Sequence, residues 1–264
     1  MKRKTSLLWA FLRYKSQNDL AYLGNFWAEL FSTFFYVMTF LVFVDLLFRN
    51  IGSMGDFSKN DFLFMTLIGQ FTYYVWAIGI YAAMAKIIED VRTGAFDLTL
   101  LRPVSTTFYN TLSAIKPVYG LFVSVPNIVL ISVIIDWSQV SVTPISIFLG
   151  LLVWCGAMLI LALIMLLLTV PVFSQGDASD MINASFSLFR LTEIPFNLLP
   201  TGIKFMSFFL LPTVVATGAT AYVMLAKGTV LPIIVASVLM GTVAVVLYKV
   251  VWNNAMHAYT SASS

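Results

Sequence analysis

Long apolar runs recur along this chain, and they leave it few ways to fold in water. Ala21–Phe48, Phe62–Ala85, Pro117–Ile135, Pro144–Val170 and Thr229–Trp252 are each nearly free of charge. About 20 apolar residues carry a helix across the hydrocarbon of a bilayer, and each run is of that order. Two further runs are interrupted. Met181–Leu199 contains Arg190, Glu193 and Pro195, and Thr201–Leu225 contains Pro212 and Gly218. Of the 264 residues, 60% are hydrophobic and 10% charged, against roughly 45–50% and about 25% in soluble domains. A single soluble core stops growing near ~250–300 residues and cannot cover that much apolar surface. Lipid is the natural solvent for the excess.

These runs predict an all-α membrane protein, one membrane domain over residues 1–264. Six transmembrane helices are expected at about 21–48, 62–85, 117–135, 144–170, 181–199 and 229–252. The first is too long for a signal-peptide core and has no small-residue cleavage site after it, so it is expected to be retained. Residues 1–20 carry Lys2, Arg3, Lys4, Arg13 and Lys15, with Leu7, Leu8, Phe11 and Tyr14 on one helical side. That pattern suits a helix lying in the membrane interface. Thr201–Leu225 is expected to form a re-entrant hairpin before span six, broken near Pro212 and Gly218. Such breaks are tolerated at membrane depth where protein or a water-filled cavity covers them.

Orientation follows the distribution of Lys and Arg. With both termini inside, the inner segments hold ten of the 15 basic residues, among them Lys86, Arg92, Arg102, Lys116 and Lys249. The outer segments hold Arg49, Lys59, Lys204 and Lys227. Cytoplasmic termini are therefore expected, with 86–116 also in the cytoplasm. The net charge of +3 is modest and the basic residues are scattered, which gives no footprint for nucleic acid. Membrane lipid is the expected surrounding.

Several chemistries lack their residues. The chain has one histidine, His257, and one cysteine, Cys155. HExxH and any histidine-built metal site are excluded. Cys155 can form no internal disulfide or thiolate metal site and is expected as a small core residue. No Gly-x-Ser-x-Gly elbow and no Gly-x-x-x-x-Gly-Lys-Ser/Thr loop occurs. The chain is thus expected to have no catalytic, cofactor-binding or metal site, and not to cradle ATP phosphates itself.

The most informative polar stretch is Ala83–Leu101, AMAKIIEDVRTGAFDLTLL. Met84, Ile87, Ile88 and Val91 recur at i, i+3, i+4 and i+7, the stripe of an amphipathic helix. Lys86–Asp90 and Glu89–Arg92 are helix-spaced opposite charges. Gly94 can end the helix, and Pro103 bars its continuation. A short helix across the cytoplasmic face between spans two and three is expected. It is either a solvated surface helix or an element that docks in a partner's groove.

Ile87–Ser105, IIEDVRTGAFDLTLLRPVS, resembles the cytoplasmic segment of type-2 ABC exporter permeases. The matching positions are Gly94, Phe96, Leu100, Leu101, Arg102, Pro103, Val104 and Ser105. The stretch RLTEIPFNLLPTGIKFMSFFLLPTVVATG is similar to that family's fifth span, proline turn and broken outer hairpin. The ending WNNAMHAYTSASS is similar to the C-terminus of one branch. One departure is Asp177 and Asp180, where that branch often has more basic residues. The resemblance implies a half-transporter in the cell inner membrane. It would pair with a second permease, as a homodimer or with a related chain. Two copies of a separate ABC ATP-binding subunit, carrying ATP and Mg, would drive it. It implies that the helix with Met84, Ile87, Ile88, Glu89, Val91, Arg92 and Gly94 couples to that ATPase. The cargo would be amphiphilic: a drug, peptide, lipid or polysaccharide leaving the cytoplasm.

The alternative is a secondary transporter or channel. Such proteins place ionisable residues inside the membrane. Arg190 and Glu193 fit that description, and at i, i+3 they can equally neutralise each other as a buried pair. Internal repeats expected of many secondary transporters are not evident.

Overall fold

The computed structural model describes residues 23–115, 117–175 and 194–259, with Arg13, Gln17, Asp180 and Met181 besides. Apart from Arg13 and Gln17, the expected interfacial helix at 1–20 lies outside the described residues, and so do residues 182–193 of the expected span five, Arg190 and Glu193 among them. Everything described is helix and short connection, without a strand; Met54 and Phe57 form an isolated bridge.

The helices are α1 (Leu23–Ile51), α2 (Lys59–Arg92), α3 (Ala95–Leu100), α4 (Thr106–Ala114) and α5 (Pro117–Ile134). They continue as α6 (Pro144–Thr169), α7 (Val172–Gln175), α8 (Thr201–Leu210), α9 (Pro212–Met224) and α10 (Leu231–Ala258). Among the described residues, four segments are long and apolar enough to cross a membrane: Trp27–Ile51, Lys59–Arg92, Pro144–Ser174 and Leu231–His257. The bent pair α8 and α9 would make five if counted as one span.

Local chemistry explains the helix ends. Ser58 caps α2: its hydroxyl accepts from the Asp61 amide, and the Asp61 carboxylate accepts from the Ser58 amide. Thr143 and Ser146 do the same for α6, with Pro144 in its first turn. Each such box satisfies amides that would otherwise lack partners. Asp136 stiffens the turn before α6. Its carboxylate accepts from the Ser138 hydroxyl and amide and from Gln139, which holds its pKa below the usual carboxylate value.

The loops gather at two ends of the bundle. At the first end, Asn60 on α2 bonds Gln139 and the Asp136 amide. Lys227 bonds Asp61 at 2.6 Å and the Asp56 carbonyl. Asp45 near the end of α1 receives Arg49 at 2.8 Å and also Lys59. At the second end, Phe173 packs on Phe96, Trp252 and Tyr259. Residues 172–175 thus sit at the second end. Asn197 lies against Gly55 at the first.

Among the described residues three buried clusters fill the interior, the smallest of them Ile160, Leu163 and Ala244 between α6 and α10. A second joins the first half of α2 to α1, α5 and residues 221–225, through Val37, Val44, Leu63, Met65 and Ile131. The largest joins the second half of α2 to α6, α9 and α10, through Trp76, Ile88, Leu161, Met165 and Val215. Helices α6 and α10 approach until their backbones touch. A Cβ built at Gly241 would lie 2.8 Å from the Cα of Gly156. Small residues at such crossings replace hydrophobic drive with close packing, the usual device in lipid. The outer surfaces remain apolar. Phe31, Phe35, Phe43 and Leu46 on α1, and Leu239 and Val246 on α10, are all more than half exposed.

The structure departs from the sequence expectations at four places. Span two does not stop near Ala85. It runs on to Arg92 as one 34-residue helix, because nothing between Ala85 and Arg92 breaks it. The expected separate helix is therefore the end of α2. The expected span at 181–199 does not reach Leu199 as helix. Pro195 opens a short 3₁₀ turn at Phe196–Leu198, and α8 follows Pro200. Cys155 is exposed, not a core residue; it projects from α6 while Gly156 and Ala157 face inward. The hairpin break falls at Leu211, where α8 and α9 meet at 104°. Gly218 lies inside a π-helical segment, Val215–Ala219, where a Cβ would press on the Ile194 carbonyl oxygen at 2.8 Å.

Candidate functional site

The second end of the bundle carries the features that can meet a partner. Helix α2 ends in the strand-free sequence KIIEDVR, and Gly94 follows with φ of 73°. Glycine adopts that left-handed conformation at little cost, so the chain turns sharply into α3. Pro103 and Ser105 then separate α3 from α4. The result is a compact set of three helical pieces, α2's end, α3 and α4, folded over the base of the bundle.

The predicted stripe is turned inward. Met84, Ile87, Ile88 and Val91 are 3–6% exposed and belong to the larger core. The chain itself covers them, because α2 stays in the bundle at that depth. Lys86 pairs with Asp90 at 2.8 Å and shields the stripe's flank. Glu89 and Arg92 pair with each other at 2.8 Å on the exposed side. What remains open lies one helix further on. Leu98 is 65% exposed and Leu101 82% exposed, with Leu100 and Arg102 beside them. Arg102 also lies over the Tyr109 ring at 4.3 Å, which places its charge next to α4.

Behind this surface, Phe96 is fully buried between Phe173 and Tyr259. The Tyr259 hydroxyl bonds Asp97. Sequence periodicity did not find this connection, since its partners are 162 positions apart; the aromatic spacing Trp252–Tyr259 on two helical turns was the only hint.

A cavity of about 470 Å³ lies between α2, α6 and α10. Gly79, Ile80 and Ala83 of α2 line one wall, with Met84 and Ile87 of the inward stripe. Ala162, Met165 and Thr169 of α6 line a second, and Ala244, Tyr248 and Lys249 of α10 a third. Thr111 of α4 reaches it from the second end. The cavity meets α2 where the helix widens into a π segment, Trp76–Tyr81. Segments of that kind are frequent at functional sites. Its walls are largely carbon, and small residues on three helices make the room. The sequence signal was there as Gly79, Ala83, Ala162 and Ala244, but nothing local brings those positions together. Among the described residues, no group of three or more His, Cys, Asp or Glu side chains is placed to hold a metal ion.

Comparison with curated proteins gives no match, and comparison with solved structures gives none either. The family model described as ABC-2 family transporter protein matches residues 34–263, from the first third of α1 past the end of α10. Most of the chain is thus accounted for by one family, and its apolar helices suit that family's setting. The chain belongs to the ABC-2 family of transporter proteins and is a multi-pass membrane protein.

Proposed function

We propose that this chain is the permease subunit of an ATP-driven ABC exporter. The match to the ABC-2 family across 34–263 carries the reading. Membership in that family implies association with an ABC ATPase subunit. Two such subunits, with their ATP and Mg, would serve a pair of permeases, either two copies of this chain or this chain with a related one. The proposed topology has six spans in the cell inner membrane and both termini in the cytoplasm. It puts the second end of the bundle inside and Asp56 and Asp136 outside. The basic asymmetry of the sequence supports it, and so does the gathering of those two loops at one end. Helix α8–α9 then enters and leaves at the outer face as a re-entrant hairpin.

The coupling surface in this reading is the segment from Glu89 to Arg102. Met84, Ile87, Ile88 and Val91 act from behind, fixing the end of α2 to the core. Glu89, Arg92 and the apolar ridge of Leu98 and Leu101 meet the ATPase, and Gly94 sets the turn between them. An exposed apolar ridge with a charged rim is what a groove on a partner would recognise. Cargo of amphiphilic type suits the apolar interior.

The test is co-purification of the tagged chain with its ABC ATPase, with Leu98→Asp plus Leu101→Asp as the variant. The variant should express and run as the native chain does, and it should lose ATPase capture and transport in vesicles. Normal capture and transport by that variant would remove this surface from the coupling role.

A further inference from the structure

The cavity between α2, α6 and α10 has a chemical asymmetry that its apolar lining alone does not explain. Its lining residues are apolar except Lys249, Tyr248, Thr111 and Thr169, which come from the parts of α10, α4 and α6 nearest the second end. Lys249 is exposed, and among the described residues no ion pair engages it. It also sits at a telling depth. At 1.5 Å per residue it lies about 27 Å along α10 from Leu231, close to the ~30 Å thickness of the hydrocarbon layer. A lysine there reaches the headgroup level with its ammonium while its stem stays among apolar groups. The volume falls within the ~300–1,000 Å³ typical of small-molecule pockets.

We propose that this cavity is a binding site for an anionic phospholipid of the leaflet at the second end, one acyl chain in the cavity and the phosphate on Lys249. Charge complementarity selects the occupant. A zwitterionic lipid would fill the apolar volume equally but gain little at Lys249. A small soluble anion would leave the carbon walls bare. The hydroxyl of Thr111 adds a donor at the polar edge. The walls belong to α2, α6 and α10, so a bound chain bridges the end of α2 to the last helix. The site stands whether or not the chain is an exporter subunit.

Gly79 gives a clean way to fill the site. A Cβ added there meets no atom within 4 Å, and its φ is ordinary, so a larger side chain has open space to enter. The experiment takes the purified, detergent-washed chain and offers equimolar phosphatidylglycerol and phosphatidylcholine. Lipid that stays bound is counted and identified by native mass spectrometry. The native chain should retain one phosphatidylglycerol per chain, preferred by about fivefold, the effect of one lysine near an anionic surface. Lys249→Gln should keep a bound lipid but bring the preference close to one. Gly79→Leu should lose both lipids while eluting as the native chain does, and Ala162→Leu provides a second filling variant from another wall. An unchanged preference in Lys249→Gln, or unchanged retention in a folded filling variant, would overturn the proposal. So would a native chain that retains no lipid, or one whose cavity is closed by a second copy of itself.

Discussion

The hydroxyl of Tyr259 donates a hydrogen bond to Asp97 at 2.9 Å, fastening the residue after the last long helix to the short helix behind the Leu98–Leu101 ridge. Burial first, and then the Asp97 carboxylate, push the Tyr259 pKa up to about 12. The neutral phenol is the form the fold prefers. The bond therefore stabilises fully below the ordinary tyrosine value near pH 10, and its contribution disappears as pH rises through about 12. Tyr259→Phe should lower stability by about 1–3 kcal/mol, the range for a hydrogen bond to a charged group. Thermal unfolding in detergent should show a constant gap between variant and native chain from pH 7 to about 10, narrowing above that.

Burial of the inward stripe makes a second prediction. Ile88 is 3% exposed, so Ile88→Asp places a carboxylate in the larger core without a partner. Loss of several kcal/mol follows from an unpaired buried charge. Yield and thermal stability should collapse for Ile88→Asp and change little for Leu101→Asp. Equal behaviour of the two variants would mean that the stripe faces out, not in.

At the first end, Lys227 and Asp61 form a pair with side chains 23% and 7% exposed. Asp61 also closes the capping box of α2. Removing one member of a pair buried to this degree is destabilising, by as much as ~3–5 kcal/mol where burial is complete. Lys227→Met should be milder when combined with Asp61→Asn than additivity allows. A double-mutant cycle of unfolding temperatures measures the coupling; strict additivity would show that the two side chains act independently.

The proposed topology is open to thiol labelling. Cys155 is exposed on α6, so single cysteines belong in a Cys155→Ala background. Cysteine at Asp56 or Asp136 should react with an impermeant reagent added to intact cells, and cysteine at Thr99 only after lysis. The reverse pattern would invert the chain.

Much of the architecture was legible because it rests on local signals. Apolar length located α1, α6 and α10. Gly94 and Pro212 marked a real helix end and a real break, while the caps at Ser58 and Thr143 show only in the structure. What was not legible depended on contacts between distant parts. An amphipathic stripe at Met84–Val91 says that one face seeks apolar company, but periodicity cannot say whose. Here the company is α6 and the aromatic cluster around Phe173. The cavity was hidden for the same reason, since its small residues sit on three helices. Pro195 was included in span five on apolar length, although the family resemblance carried a proline turn there. In the structure it starts the turn that ends it, because the following Pro200 removes another amide from any continuing helix.

Helix α2 is also a mechanical part. Its 34 residues make a rod about 51 Å long at 1.5 Å per residue, roughly 20 Å more than the hydrocarbon needs. Its last turns are held to the core by the stripe Met84, Ile87, Ile88 and Val91, and its far end by the Ser58 cap and the Lys227–Asp61 pair. In α2 the regular hydrogen-bond ladder shifts register at the π segment Trp76–Tyr81. That segment borders the cavity at Gly79 and Ile80, so a strain that reached it from the turn at Gly94 would change the width of the space between α2, α6 and α10.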